Sequence, residues 1–131
     1  MTYKEVSRAI IYDDNRRILL AKRGRGNGQG QWALIGGKPE NEENPSEAII
    51  REVLEESGLI FAPKLFKEEV SDTHDPRGDT WRVAYFSGKA TGKLSLRPEE
   101  NTEAKFFTLN ELESLDIAFG HLRIIKEFLE I

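Results

Sequence analysis

Cysteine is absent from this 131-residue chain, and histidine and methionine are scarce at two and one. Without thiols there is no disulfide framework, no thiolate zinc site and no cysteine nucleophile. That suits a reducing compartment, and a cytoplasmic location is expected. Basic charge is not in excess either. The formal net charge is −4, whereas general nucleic-acid binders carry a basic surface, so no stable nucleic-acid partner is expected. No apolar run approaches the roughly 18 residues needed to span a bilayer. The opening Met1-Thr2-Tyr3-Lys4-Glu5 lacks the apolar core of a secretion signal. No membrane partner is expected, and the chain shows no repeat, low-complexity tail or linker.

With 38% apolar and 32% charged residues, the chain has the composition of one soluble domain, residues 1–131. Val6 to Tyr12 and Arg17 to Lys22 are β-branched runs separated by Asp13-Asp14-Asn15-Arg16, a hairpin signal. Glycines at 24, 26, 28 and 30 make Arg23 to Gln31 a loop. It is not a P-loop, since no Gly-Lys-Ser/Thr closes it, although Lys22, Arg23 and Arg25 could meet an anionic substrate. A helix is predicted from about Pro45 to a cap at Gly58, with Ile50, Val53 and Leu54 toward a sheet and its carboxylates away from the core. Further strands are predicted at Lys64–Asp72, Trp81–Ser87 and Lys105–Thr108. A short helix follows at Asn110–Leu115, and a C-terminal helix at Ala118–Ile131 has Leu122, Ile125 and Leu129 on one side. Strands and helices mix without regular βαβ alternation, which predicts a layered α/β (α+β) domain.

Within the first helix, Glu52, Glu55 and Glu56 stand at i, i+3 and i+4 and share one arc. Carboxylates that close repel one another unless a cation joins them. Oxygen ligands favour a hard divalent ion such as Mg²⁺, which also binds substrate phosphates. The plain alternative is a solvated glutamate-rich face.

The surrounding spacing decides between the two. Gly37, Glu43, Arg51-Glu52-Val53, Glu55-Glu56 and Gly58-Leu59 fill every specified position of a 23-residue pattern that resembles the Nudix hydrolase signature. Gln31 to Gly37 resembles the strand that leads into it. Ile35 replaces a common proline, and Pro39 and Glu42 replace an apolar residue and a glycine, all off the glutamate face. The resemblance covers nearly the whole chain. It implies the Nudix fold, a mixed β-sheet sandwiched between α-helices, and cleavage of a nucleoside diphosphate linked to another moiety. Two or more Mg²⁺ or Mn²⁺ ions are implied on Glu52, Glu55, Glu56 and the backbone of Gly37.

Arg51 is expected to orient the glutamates by ion pairing, with Glu43 as one partner. The attacking water needs a base, and Pro98 to Phe107 resembles the family's acidic loop before an aromatic strand. Within it Glu103 ranks first and Glu100 second, beside the signature glutamates themselves.

For the substrate, His74 to Phe86 resembles the Asp-Pro-Arg-Gly segment of ADP-ribose pyrophosphatases, and Ile117 to His121 a helix start in that subgroup with Gly120 in place of aspartate. Arg23 and Arg77 are the expected phosphate contacts, and Trp81 and Phe119 the rings that could stack on a base. The chain is therefore expected to act on a small nucleotide, ADP-ribose first, as a monomer or homodimer. The alternative is a nucleoside triphosphate pyrophosphohydrolase, including one that clears oxidised nucleotides. RNA 5′-end hydrolysis fits the acidic charge less well, and a non-catalytic nucleotide sensor would not need the glutamates intact.

Overall fold

A computed structural model of the chain describes residues 3–71 and 79–130, with Ser71 described by its backbone alone. Among the described residues three sheets share the strands. β1 (Lys4–Ile11) lies between β4 (Ile35–Gly37) and β7 (Trp81–Gly88), and β6 (Lys64–Ser71) completes that sheet beside β7. β2 (Ile18–Arg23) lies between β3 (Trp32–Ala33) and β9 (Asn101–Phe107), and β5 (Ile60–Phe61) pairs β8 (Ala90–Thr91). The first sheet is mixed: β1 runs parallel to β7 and antiparallel to β4.

Among the described residues three helices cover the two faces, α1 (Pro45–Ser57), α2 (Leu109–Glu113) and α3 (His121–Leu129). Because side chains alternate along a strand, β1 sends Ala9 and Ile11 into one core with Ile49 and Val53 of α1, while Ile10 enters the other with Leu112 of α2 and Ile124 and Ile125 of α3. The expected sandwich is therefore present, with a hydrophobic core on each side.

Several local expectations need correction. β1 and β2 do not form a hairpin ladder. Asp13 closes a tight turn by accepting hydrogen bonds from the Asn15 and Arg17 amides, but only the Tyr12–Ile18 bridge joins the two strands before they enter different sheets. β9 begins at Asn101, inside the predicted loop, because it pairs β2 from Ile18 to Arg23. α3 starts at His121 rather than Ala118, and buries Ile124 beside the expected Ile125 and Leu129.

α1 has the predicted start and cap. Asn44 and Glu47 form a reciprocal capping box, Pro45 opens the first turn, and Gly58 ends the helix at φ 75°. Its phase differs, however. The buried residues are Ala48, Ile49, Val53 and Ser57, while Ile50 and Leu54 are 39% and 47% exposed. At 3.6 residues per turn, Glu52 and Glu56 then fall between Ala48, Ile49 and Val53. Two of the carboxylates thus face inward at the edge of the core, not away from it.

Candidate functional site

Glu52 and Glu56 project from α1 into a cleft of about 1410 Å³ between α1, β1 and the segment before α3. The end of β4 comes against them. A Cβ placed at Gly37 would lie 2.6 Å from both Glu52 carboxylate oxygens, so only glycine permits this approach. On β9, the buried Asn101 donates its amide to Glu56 Oε1 at 2.9 Å. Glu56 Oε2 is buried and has no hydrogen-bond partner. Burial first, then the adjacent Glu52 carboxylate, pushes the Glu56 carboxyl up to about 8.

Arg51 organises the outer carboxylates. Its Nε and Nη2 donate to Glu43 at 2.8 and 3.0 Å, Nη1 donates to Glu52 at 2.7 Å and Glu55 at 3.1 Å, and Nη2 also reaches the Lys38 carbonyl at 3.0 Å. The pairing holds the Glu43 carboxyl below its usual range, and Arg51 is shifted upward, chiefly by Glu43.

The arrangement suits a hard divalent cation on the inner pair. An unpartnered buried carboxylate oxygen sits next to a second carboxylate, and every donor is oxygen. Glu55 is not among the cleft-lining residues and shares Arg51 with Glu52. Among the described residues, no three His, Cys, Asp or Glu side chains converge as a ready metal cage.

The other expected residues divide. Glu100 lines the cleft and is ion-paired with Arg25. Glu103 lies on β9, exposed, 3.7 Å from Lys22 and outside the cleft lining. Arg23, Trp81 and Phe119 all line the cleft. Lys38 and Lys4 lie 5.1 and 5.7 Å from the Trp81 ring centroid. Arg77, with the Asp-Pro-Arg-Gly segment and His74, lies outside the described residues. The loop after Arg23 is held by its own backbone, with Gly30 donating to Arg23 and Gln31 to Gly28, and with Gly26, Gly28 and Gly30 all at positive φ.

Sequence reasoning missed three residues here. Asn101 was hidden in an apparent loop, and its burial follows only from the β2–β9 pairing. His121, read as a helix-end residue, is buried with its Nδ1 accepting from the Leu34 amide at 3.0 Å. Burial holds it neutral, well below its ordinary pKa, with Arg8 and Arg23 adding to the effect. Arg8 gave no signal beyond a charge inside an apolar strand.

The family model of the NUDIX domain matches residues 2–128. The chain belongs to the Nudix family. It is a Nudix pyrophosphohydrolase. It is 40% identical to an ADP-ribose pyrophosphatase of Methanocaldococcus jannaschii over 121 residues, which is 92% of this chain and 69% of that one. It is 49% identical to the oxidized purine nucleoside triphosphate hydrolase of Danio rerio over 93 residues, 63% of this chain and 56% of that one. Among solved structures, the MutT Nudix hydrolase of Burkholderia pseudomallei superposes with a TM-score of 0.84 at 26% identity, covering 97% of this Nudix chain and 98% of that one.

Proposed function

We infer that this Nudix hydrolase cleaves the phosphoanhydride bond of ADP-ribose, giving AMP and ribose 5-phosphate, with Mg²⁺ or Mn²⁺ as cofactor. The observation that carries the reading is the cleft itself. The inward pair Glu52 and Glu56 shares it with cations that have no carboxylate partner among the described residues, Arg8, Arg23 and Lys38. The 40% identity with an ADP-ribose pyrophosphatase across most of the chain supports the choice of substrate.

Glu52 and Glu56, with the Gly37 backbone, would hold the ions, and Glu55 would complete the set. Bound there, two or more divalent cations supply charge neutralisation on the phosphoryl oxygens and acidify the attacking water. Arg51 keeps Glu52 and Glu55 in place by its shared hydrogen bonds. Asn101 fixes one oxygen of Glu56 and leaves the other free for the ion. Arg23 and Lys38 counter the diphosphate charge, and Trp81 and Phe119 offer ring faces to adenine. Water adds to one phosphorus as the bridging oxygen leaves with the other phosphate. Glu100, on the cleft wall next to Asn101, takes the water's proton. Glu103, the other candidate, lies 3.7 Å from Lys22 and outside the cleft lining, which favours Glu100.

Chromatography of a reaction with ADP-ribose and Mg²⁺ tests this directly. AMP and ribose 5-phosphate in equal amounts are expected, and ADP-ribose left intact would reject the substrate. The second reading, a nucleoside triphosphate pyrophosphohydrolase, is favoured by the 49% identity with the zebrafish enzyme, which extends over a shorter stretch.

A further inference from the structure

Arg8 has a setting unlike the other cleft arginines. It stands on β1 opposite Gly36 on one side and Tyr85 on the other. A Cβ at Gly36 would strike the Ser7 carbonyl oxygen first and come 2.8 Å from Arg8 Cδ, so this glycine allows β4 to pair with β1 and leaves the Arg8 side chain room in the cleft. There the Arg8 guanidinium lies 5.6 Å from the Phe119 ring centroid, and that of Arg23 lies 5.1 Å from the same centroid. Phe119 holds φ 60°, a conformation costly for a bulky residue, yet remains 49% exposed. Gly28 braces it, since a Cβ there would be 3.2 Å from Phe119 Cζ and 3.3 Å from Arg23 Cδ.

The charges around this ring are not balanced. Arg25 is paired with Glu100 and Arg123 with Glu69. Among the described residues, neither Arg8 nor Arg23 has a carboxylate within ion-pair distance, and Arg23 Nε donates to the Asn27 carbonyl at 2.7 Å. Burial and then the Arg23 charge hold the Arg8 guanidinium below its ordinary pKa. A guanidinium withdrawn from water beside a second one, with no carboxylate in ion-pair distance, is costly, and an anion that joins the two offsets that cost.

We propose that Arg8 and Arg23, held against the Phe119 ring, form a paired-guanidinium subsite for a phosphoryl group of the substrate, and that Arg8 is its decisive member. Phosphate fits because the guanidinium fork binds its oxygens two at a time, and two forks satisfy more of them than one. Glu52 and Glu56 line the same cleft and act on the Arg8 charge, so one diphosphate meets both groups. The proposal rests on the hydrolase reading for a phosphate-bearing substrate, but not on ADP-ribose.

The test titrates inorganic pyrophosphate into the full-length protein with Mg²⁺ by calorimetry, for wild type, Arg8→Gln, Arg8→Lys and the distant surface variant Lys126→Gln. Arg8→Gln is expected to weaken pyrophosphate about tenfold or more while melting close to wild type, because no ion pair is lost with the guanidinium. Arg8→Lys keeps the charge without the fork and should recover part of the binding. Unchanged affinity in Arg8→Gln, or an equal loss in Lys126→Gln, would overturn the subsite. If Arg8→Gln melts early, Arg8→Lys decides, since wild-type affinity there would also reject a role for the fork. ADP-ribose turnover by wild type, run alongside, separates the two readings: its absence would remove that substrate and leave the pyrophosphate result standing.

Discussion

Gly36 and Gly37 stand side by side on β4 and make room for side chains of opposite charge, Arg8 on one face and Glu52 on the other. Gly37→Ala would drive a methyl group into both Glu52 oxygens, and a loss of turnover of about a hundredfold or more is expected at nearly native stability. Glu56→Gln separates structure from chemistry in another way. Its unpartnered buried oxygen and raised proton affinity cost the metal-free fold stability near neutral pH. Gln should raise metal-free stability by about 1–3 kcal/mol in EDTA while abolishing turnover, and denaturant melts beside assays check both. For the base, Glu100→Gln should lower kcat by about 10²–10⁴ with little change in KM, and Glu103→Gln should leave it within about twofold. Steady-state kinetics of the two variants would refute the assignment if the losses were reversed. Glu52, Glu56 and Arg51 were legible in the sequence because their spacing is local to one helix. Asn101, Arg8 and Gly36 were not, since each acquires its role from a strand neighbour distant in sequence.

At the scale of elements, α3 depends on one buried imidazole. His121 opens the helix and accepts the Leu34 amide, which ties α3 to the chain just before β4. Its folded pKa lies well below the ordinary value, so the contribution is complete above about pH 6.5, the unfolded value, and falls as the unfolded state gains a proton that the native state refuses. Stability should therefore drop by up to about 1.4 kcal/mol per pH unit below 6.5, and this extra slope should vanish in His121→Gln. Urea titrations at several pH values measure it, and equal slopes in both proteins would contradict it. Capping at Asn44, Glu47 and Gly58 was plain from the sequence because it is local chemistry. The phase of α1 was not. Ile50 and Leu54 are apolar and suitably spaced, but tertiary packing chose Ile49 and Ala48 and turned Glu52 and Glu56 inward with them. The Asp13 turn was also readable, and the separation of β1 from β2 was not, because β7 is a long-range partner of β1.

Across the whole molecule, two cores on opposite faces of the sheets hold α1 and the α2–α3 pair fixed, and the cleft opens where these layers meet the end of β4. No helix among the described residues is long and apolar enough to cross a membrane. A divalent ion that binds only the native state should stabilise it by about 2.7 kcal/mol at a hundred times its Kd. Thermal melts with added Mg²⁺ should show that shift in wild type and little of it in Glu56→Gln. The family resemblance was legible from residues 37–59 alone, and the 127 residues matched by the NUDIX domain extend it over both layers. The measurement that bears most directly on the function is a comparison of kcat/KM for ADP-ribose, the deoxynucleoside triphosphates and 8-oxo-dGTP with Mg²⁺, with products identified. ADP-ribose should lead by about tenfold or more, roughly 1.4 kcal/mol in transition-state binding, and yield AMP with ribose 5-phosphate. A triphosphate in the lead, releasing pyrophosphate, would contradict the ADP-ribose assignment.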